Sequence, residues 1–301
     1  MPTPQTKTLY VIAGPTASGK TAAAIALAQH LGTAIVSADS RQCYREMTIG
    51  TAKPTPAELA AVKHYFVDEF AVTTHITAAD YETLALQYLD TIFATHHTAV
   101  LCGGTGLYIR ALCEGLDAMP ETDPAIATST EADYKLHGLP WLQAAVAQED
   151  PEFYAGGEVH NPARLLRALT FIRSTGTSIM HFRTQPRKQR PFRIVKVGLE
   201  LPRALLYDRI NTRVDTMIAD GLVQEVMQLL PHRHLKNLQT VGYAELFDYI
   251  DGKCTLPEAI DKIKQHTRNY AKRQLTWFKK DTEFVWYDAR TPNLSGAIRQ
   301  A

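Results

Sequence analysis

Short apolar runs alternate with glycines in the first third of the chain. Leu9-Tyr10-Val11-Ile12-Ala13 stops at Gly14-Pro15 and reads as a strand, because a brief apolar run closed by turn residues fits a strand covered on both faces. The alanine-rich residues 22–31 suit a helix that Gly32 ends. Ala34-Ile35-Val36-Ser37-Ala38 and Ala99-Val100-Leu101-Cys102 read as two further strands. Strand, helix and strand at this spacing predict a parallel α/β sheet covered by helices.

After Met119 the texture changes. Strand signals stop, helices are expected over 141–148 and 163–173, and a basic, Pro-containing stretch over 183–191 closes the region. Residues 192–199, F-R-I-V-K-V-G-L, are strand-like again. The pattern predicts an α/β core of residues 1–118 and 192–301 with a mainly helical insertion over 119–191. Further helices are expected over 203–219, 222–230 and 256–280. No run reaches the ~18 apolar residues of a membrane span. The polar stretch from Met1 to Lys7 runs straight into a strand, so no signal peptide is expected and a cytoplasmic location is. Four cysteines, Cys43, Cys102, Cys113 and Cys254, form no CxxC pair, which argues against a zinc site or a disulfide framework and for reduced thiols.

The net charge of +1 points to no partner, but its distribution does. Residues 119–160 hold eight acids and one base, Lys135; residues 161–193 hold eight bases and no acid; residues 262–280 hold seven bases and no acid. Such blocks suit a surface that meets a polyanion, or else solvated helix faces.

Gly14-Pro15-Thr16-Ala17-Ser18-Gly19-Lys20-Thr21 fits GxxxxGK[ST] between a predicted strand and a predicted helix. Glycines let the backbone curl so that successive N–H groups point at an anion, and the helix N-terminus adds partial positive charge. Lys20 supplies a full charge and the Thr21 hydroxyl can ligate Mg²⁺. The loop therefore announces a polyphosphate without saying whether it is a nucleotide. No strand ends in an aspartate placed for nucleotide-bound Mg²⁺, since the run from Ala99 ends in Cys102-Gly103-Gly104. Asp39, at the C-terminal end of the second strand, faces whatever the loop holds. It could serve as a general base, a second-sphere Mg²⁺ partner or a helix cap.

The stretch Asp39-Ser40-Arg41-Gln42-Cys43-Tyr44-Arg45-Glu46-Met47-Thr48-Ile49-Gly50-Thr51-Ala52-Lys53-Pro54 resembles the DSxQxYxxMxIGTAKP segment of the tRNA dimethylallyltransferases. The phosphate loop is similar to that family's GPTASGKT, and Gly103-Gly104-Thr105-Gly106-Leu107-Tyr108 to its GGTGLY. Arg209-Ile210-Asn211-Thr212-Arg213-Val214 resembles RI-x-x-R, Val241-Gly242-Tyr243 resembles VGY, and the run Ala271 to Phe278, A-K-R-Q-L-T-W-F, resembles AKRQ[IL]TWF. These matches lie in family order over nearly the whole chain.

The resemblance implies a P-loop NTPase-like sheet and transfer of the dimethylallyl group from dimethylallyl diphosphate to N6 of adenosine 37 beside the tRNA anticodon. It implies that Gly14, Thr16, Ala17, Ser18, Gly19, Lys20 and Thr21 bind diphosphate, with Mg²⁺ on Thr21. Asp39 would take the N6 proton, Arg213 would neutralise the leaving group, and Thr105 would orient Asp39 or a phosphate oxygen. For Arg213 a surface ion pair, and for Thr105 a strand-end turn, are the alternatives. Asp39, Ser40, Arg41 and Gln42 would meet the flipped base. Ala163, Arg164, Leu165, Leu166 and Arg167, with Gln239, Val241, Gly242 and Tyr243, would contact tRNA. Tyr270, Trp277 and Phe278 could stack on RNA or belong to the core. Two positions depart from the pattern: Ala244 and Thr128 stand where a cation is common. With no zinc-finger extension after Gln300, the bacterial type is expected; a monomer is expected separately, on no sequence feature. Competing readings are an adenylate isopentenyltransferase, a P-loop small-molecule kinase and a non-catalytic RNA-binding protein.

Overall fold

The apolar runs become the middle of a six-stranded sheet. In the computed structural model, which describes residues 6–182 and 187–299, the strands are β1 (Thr8–Ala13), β2 (Ile35–Ala38), β3 (His64–Tyr65), β4 (Thr98–Gly103), β5 (Arg193–Glu200) and β6 (Val285–Asp288). They lie in the order β3-β2-β4-β1-β5-β6 and every pairing is parallel. Along β1, Leu9, Val11 and Ala13 enter one apolar layer while Ile12 enters the other. This is the period of two of a strand buried on both faces.

The helices are α1 (Lys20–Leu31), α2 (Pro56–Ala61), α3 (Ala78–Phe93), α4 (Gly106–Glu114), α5 (Pro124–Glu149), α6 (Pro151–Gly156), α7 (Pro162–Thr175), α8 (Arg203–Ala219), α9 (Leu222–Gln228), α10 (Tyr243–Ile250), α11 (Leu256–Phe278) and α12 (Leu294–Arg299). Helix α1 buries Ala24, Leu27 and Ala28 against one face of the sheet, and Gly32 ends it in a left-handed turn. Helices α3, α4, α10 and α11 share the layer on the other face. Helix α3 is absent from the sequence-based expectations, as are the two edge strands β3 and β6. Each of those strands is too short, at two and four residues, to show a period.

The chain divides into two compact units, Met1–Glu114 with Gln189–Ala301, and Gly115–Lys188. The regular structure of the second among its described residues is all helical, built on α5, α6 and α7. Its core is Leu142, Val146, Phe153, Leu165, Leu169, Phe171 and Ile179. Helix α5 is broken at Gly138 (φ 74°), two residues before Pro140. Asn161 caps α7 by accepting from the N–H of Ala163 at 3.1 Å. Arg173 grips Glu149 with two bonds of 2.8 and 2.7 Å. Of the acids in this stretch, Glu121, Asp123, Glu131, Glu149, Glu152 and Glu158 are exposed. Asp150 is buried and caps α6 by accepting from Phe153 N at 3.0 Å. Arg183 of the basic block lies outside the described residues, as do Met1 to Gln5 and Gln300.

Candidate active site

A parallel sheet gathers the C-terminal ends of its strands on one edge, and ligands bind there. Three of those ends form the site. β1 runs into the phosphate loop, β2 into Asp39, and β4, which lies between them, into Gly103-Gly104-Thr105. A side chain on Gly103 would put Cβ 2.2 Å from the carbonyl oxygen of Ala38, so only glycine lets β2 and β4 close up beneath the site. Gly14 takes φ +150°, and its Cβ would lie 2.4 Å from Leu199 O, which seats the loop against the end of β5. The two loops border one cavity of about 320 Å³, also lined by Arg213, Met217, Leu222, Ile263 and Tyr270.

The phosphate-loop side has polar groups without protein partners. The Ser18 Oγ is buried and makes no hydrogen bond. The Thr21 hydroxyl has none among the described residues. Among the described residues Lys20 Nζ donates only to Pro15 O, at 2.6 Å. Burial pushes its pKa down to about 8; Cys102 pulls it up, Arg213 further down, and Asp39 up. Arg213 donates to Thr16 Oγ1 at 3.4 Å, and burial, then the charge of Arg209, hold its pKa below the usual guanidinium value. Gln274, buried on α11, ties the loop down. Its Oε1 accepts from Thr16 N at 2.8 Å and its Nε2 donates to Gly104 O at 2.9 Å.

Asp39 opens its own loop as an Asx turn, accepting from Arg41 N at 2.9 Å and Gln42 N at 3.3 Å through Oδ1. Thr105 does not bond Asp39. Its Oγ1 accepts from Ser40 N at 3.1 Å and donates to Ser40 Oγ at 3.3 Å, so it fixes the residue after the acid. Gln42 Nε2 donates to Thr51 O and Ala52 O, both at 3.2 Å. That engages its amide nitrogen in a turn and leaves the amide oxygen without a partner among the described residues. Arg41 lines the cavity with a buried Nε that has no partner.

A residue the sequence reading missed organises the opposite wall. Glu225, on α9, accepts from Thr48 N (3.0 Å), Ile49 N (2.7 Å), Gly50 N (3.0 Å) and the Tyr243 hydroxyl (2.6 Å). It joins the Ile49-Gly50-Thr51 and Val241-Gly242-Tyr243 segments, which only the fold brings together. Tyr243, for which an RNA contact is expected, lines the cavity. Its side chain is fully buried and its hydroxyl is taken by Glu225. Leu165 likewise lies in the core of the helical unit, while Ala163, Arg164 and Arg167 on the same helix are exposed and Leu166 is half-buried. Gln239 is exposed, with its amide on Arg233 O at 2.7 Å; Val241 and Gly242 line the cavity. Of the α11 aromatics, Phe278 is core, Trp277 is 41% exposed, and Tyr270 borders the cavity. Burial and then the Asp39 charge raise the Tyr270 hydroxyl to about 12.

No group of three or more His, Cys, Asp or Glu residues placed for a metal exists among the described residues. Thr21 with an open hydroxyl still fits a divalent ion that arrives on a diphosphate, because Mg²⁺ keeps most of its ligands as phosphate oxygens and water.

A phosphate loop at the end of β1 facing a carboxylate at the end of β2, across β4, gives the chain the site of a P-loop-like α/β protein. The comparisons with known proteins narrow this. The sequence model of the IPP transferase family matches residues 42–281. The tRNA dimethylallyltransferase 1 of Phocaeicola vulgatus is 47% identical over 280 residues, which cover 93% of either chain. That of Bacteroides thetaiotaomicron is 46% identical over 93% of this chain and 91% of its own. The crystal structure of the full-length tRNA isopentenylpyrophosphate transferase of Bacillus halodurans is similar at a TM-score of 0.71 and 36% identity, covering 98% of this chain and 94% of that one. The chain belongs to the IPP transferase family and is a prenyl-transferring enzyme. These relatives match the tRNA-modifying reading and not the adenylate, kinase or non-catalytic alternatives.

Proposed function

We propose that the enzyme moves the dimethylallyl group of dimethylallyl diphosphate to N6 of adenosine 37, beside the tRNA anticodon, and releases diphosphate. The observation that carries this is one cavity with Lys20, Arg213 and the Thr21 hydroxyl, which has no partner among the described residues, on one side and Asp39 on the other.

The N6 nitrogen forms a bond to C1 of the dimethylallyl group as the C1–O bond to diphosphate breaks. Charge grows on the leaving oxygens, where Lys20, Arg213, the Ser18 hydroxyl and the loop N–H groups lie ready to donate. Mg²⁺ held by Thr21 supplies further neutralisation of the diphosphate when bound. The N6 amine is a weak nucleophile until its proton can leave. Asp39 accepts that proton late, when nitrogen already carries positive charge and gives it up readily. The hydrogen bonds that Arg41 N and Gln42 N make to Oδ1 fix the carboxylate's direction. A base in the anticodon loop reaches Asp39 only if it leaves its stack, which costs a few kcal/mol and calls for contacts on its neighbours. Ser40 and the Gln42 amide oxygen serve that base. Ala163, Arg164 and Arg167, with Gln239 and the exposed Lys272, Arg273 and Trp277, serve the surrounding RNA. No described helix is long and apolar enough to cross a membrane. We place the enzyme in the cytoplasm as a monomer.

Labelled dimethylallyl diphosphate offered with either tRNA or AMP tests this reading. Label is expected in tRNA and not in AMP; the reverse would overturn it, as would phosphate transfer from ATP to an alcohol without tRNA.

A further inference from the structure

Arg209 and Arg213 sit four residues apart on α8, on one face of the helix. Like charges at that spacing repel, and an ordinary surface helix separates them with acids. Here the acids lie elsewhere. Asp208 is ~100° round the helix from Arg209, and Asp215, further round, is paired with Lys264 of α11 at 2.6 Å. Arg268 of α11 takes Asn211 at 2.8 Å. Arg209 itself makes no hydrogen bond, ion pair or ring contact among the described residues.

Its position explains the arrangement. A Cβ built on Gly19 would lie 3.8 Å from Arg209 Nη1, so the guanidinium rests against the phosphate loop at the N-terminus of α1. Its charge is felt by Arg213, whose own pKa it lowers. Lys20, Arg209 and Arg213 thus crowd the loop with three cations, while Asp39 is the single acid among the described residues lining the cavity. Such an excess is unfavourable in the empty protein and is relieved by a multiply charged anion.

We propose that Arg209 is a second arginine of the diphosphate site, donating to the phosphate oxygens from the outer side of the loop. The inference rests on the reading that the loop holds a prenyl diphosphate, and extends it. A fork of N–H donors suits an anion whose two phosphoryl groups must be held together as it departs. Because Arg209 is exposed and unpaired, removing it leaves the fold without a broken contact.

Kinetics and diphosphate inhibition of Arg209→Gln and Arg209→Lys test the proposal. Arg209→Gln is expected to raise KM for dimethylallyl diphosphate about tenfold and to weaken inhibition by inorganic diphosphate about as much, the size of one charge-assisted bond. The lysine variant should recover part of both, and tRNA affinity should stay within about twofold of the parent, well below that size. Unchanged diphosphate inhibition in a folded Arg209→Gln protein would overturn the proposal. So would a loss confined to tRNA affinity, which would assign Arg209 to an RNA phosphate. If the unaltered protein were neither inhibited by diphosphate nor active in prenyl transfer, the parent reading would fail instead.

Discussion

The two walls of the cavity are built on opposite rules. On the phosphate-loop wall the polar groups are open: Ser18 Oγ has no partner, Lys20 reaches one carbonyl, and Arg213 makes a single long bond. On the wall formed by residues 48–53 they are filled. Glu225 accepts four hydrogen bonds, Gln42 donates two, and Lys53 reaches Tyr44 O at 2.8 Å as well as Asp68. Buried polar groups are normally satisfied, so open ones point to a partner that comes and goes. We read the filled wall as scaffold and the open one as the ligand site of the proposed reaction. A substitution on the first should cost stability, and one on the second should cost affinity or rate.

The largest effect belongs to Asp39, between the walls. Asp39→Asn keeps an oxygen for the N–H groups of Arg41 and Gln42 but cannot take a proton. Single-turnover transfer should slow by ~10²–10⁴-fold with tRNA affinity largely kept; a rate within threefold of the parent would remove Asp39 from the chemistry. On the filled wall, Glu225→Ala strands three backbone donors and the Tyr243 hydroxyl. Thermal unfolding should show a loss of about 2–3 kcal/mol, and a variant of parental stability would contradict the division between the walls.

Gln274→Met should fall between the two classes, because it unties the loop without removing a group that meets substrate. KM for the prenyl diphosphate should rise severalfold, with a stability loss of about 1–2 kcal/mol. A fall in kcat with KM unchanged would show that Gln274 acts elsewhere.

The smallest effect is a pH dependence. Lys20 has a folded pKa of about 8, below its value in the unfolded chain. Between those values the unfolded state binds more protons, so this group makes the ligand-free protein more stable as pH rises above about 8. Donor binding needs the charged form, so KM for dimethylallyl diphosphate should rise over the same interval. Melting temperatures of the parent and of Lys20→Met across that range isolate the contribution; identical slopes would show that Lys20 does not titrate there.

The open wall was legible in the sequence because its chemistry is local. Residues 14–21 are contiguous, and the strand before and helix after them carry their own patterns. Asp39 could be placed because a strand end announces it. The filled wall was not legible, because it is assembled from afar: Glu225 reaches back more than 170 residues to Thr48, Ile49 and Gly50. Nothing in the local sequence L-V-Q-E-V-M-Q marks the glutamate. The same distance hid the bond from the Tyr243 hydroxyl to Glu225, and left Gln274 inside a recognised segment without a role. A motif tells which residues occur together; only packing tells which of them face the ligand. Thr105 shows a middle case, since it stands at the expected strand end but holds Ser40 rather than Asp39.

The central claim is that the phosphate loop grips the departing end of a prenyl donor opposite an acid that deprotonates an adenine amine. Mass analysis of nucleosides from tRNA incubated with the enzyme and dimethylallyl diphosphate tests it most directly. One adenosine, next to the anticodon, is expected to gain a five-carbon prenyl group on N6, with one diphosphate released per group transferred. Unmodified adenosine after full incubation with active, folded enzyme, or the prenyl group on another atom of the base, would contradict it.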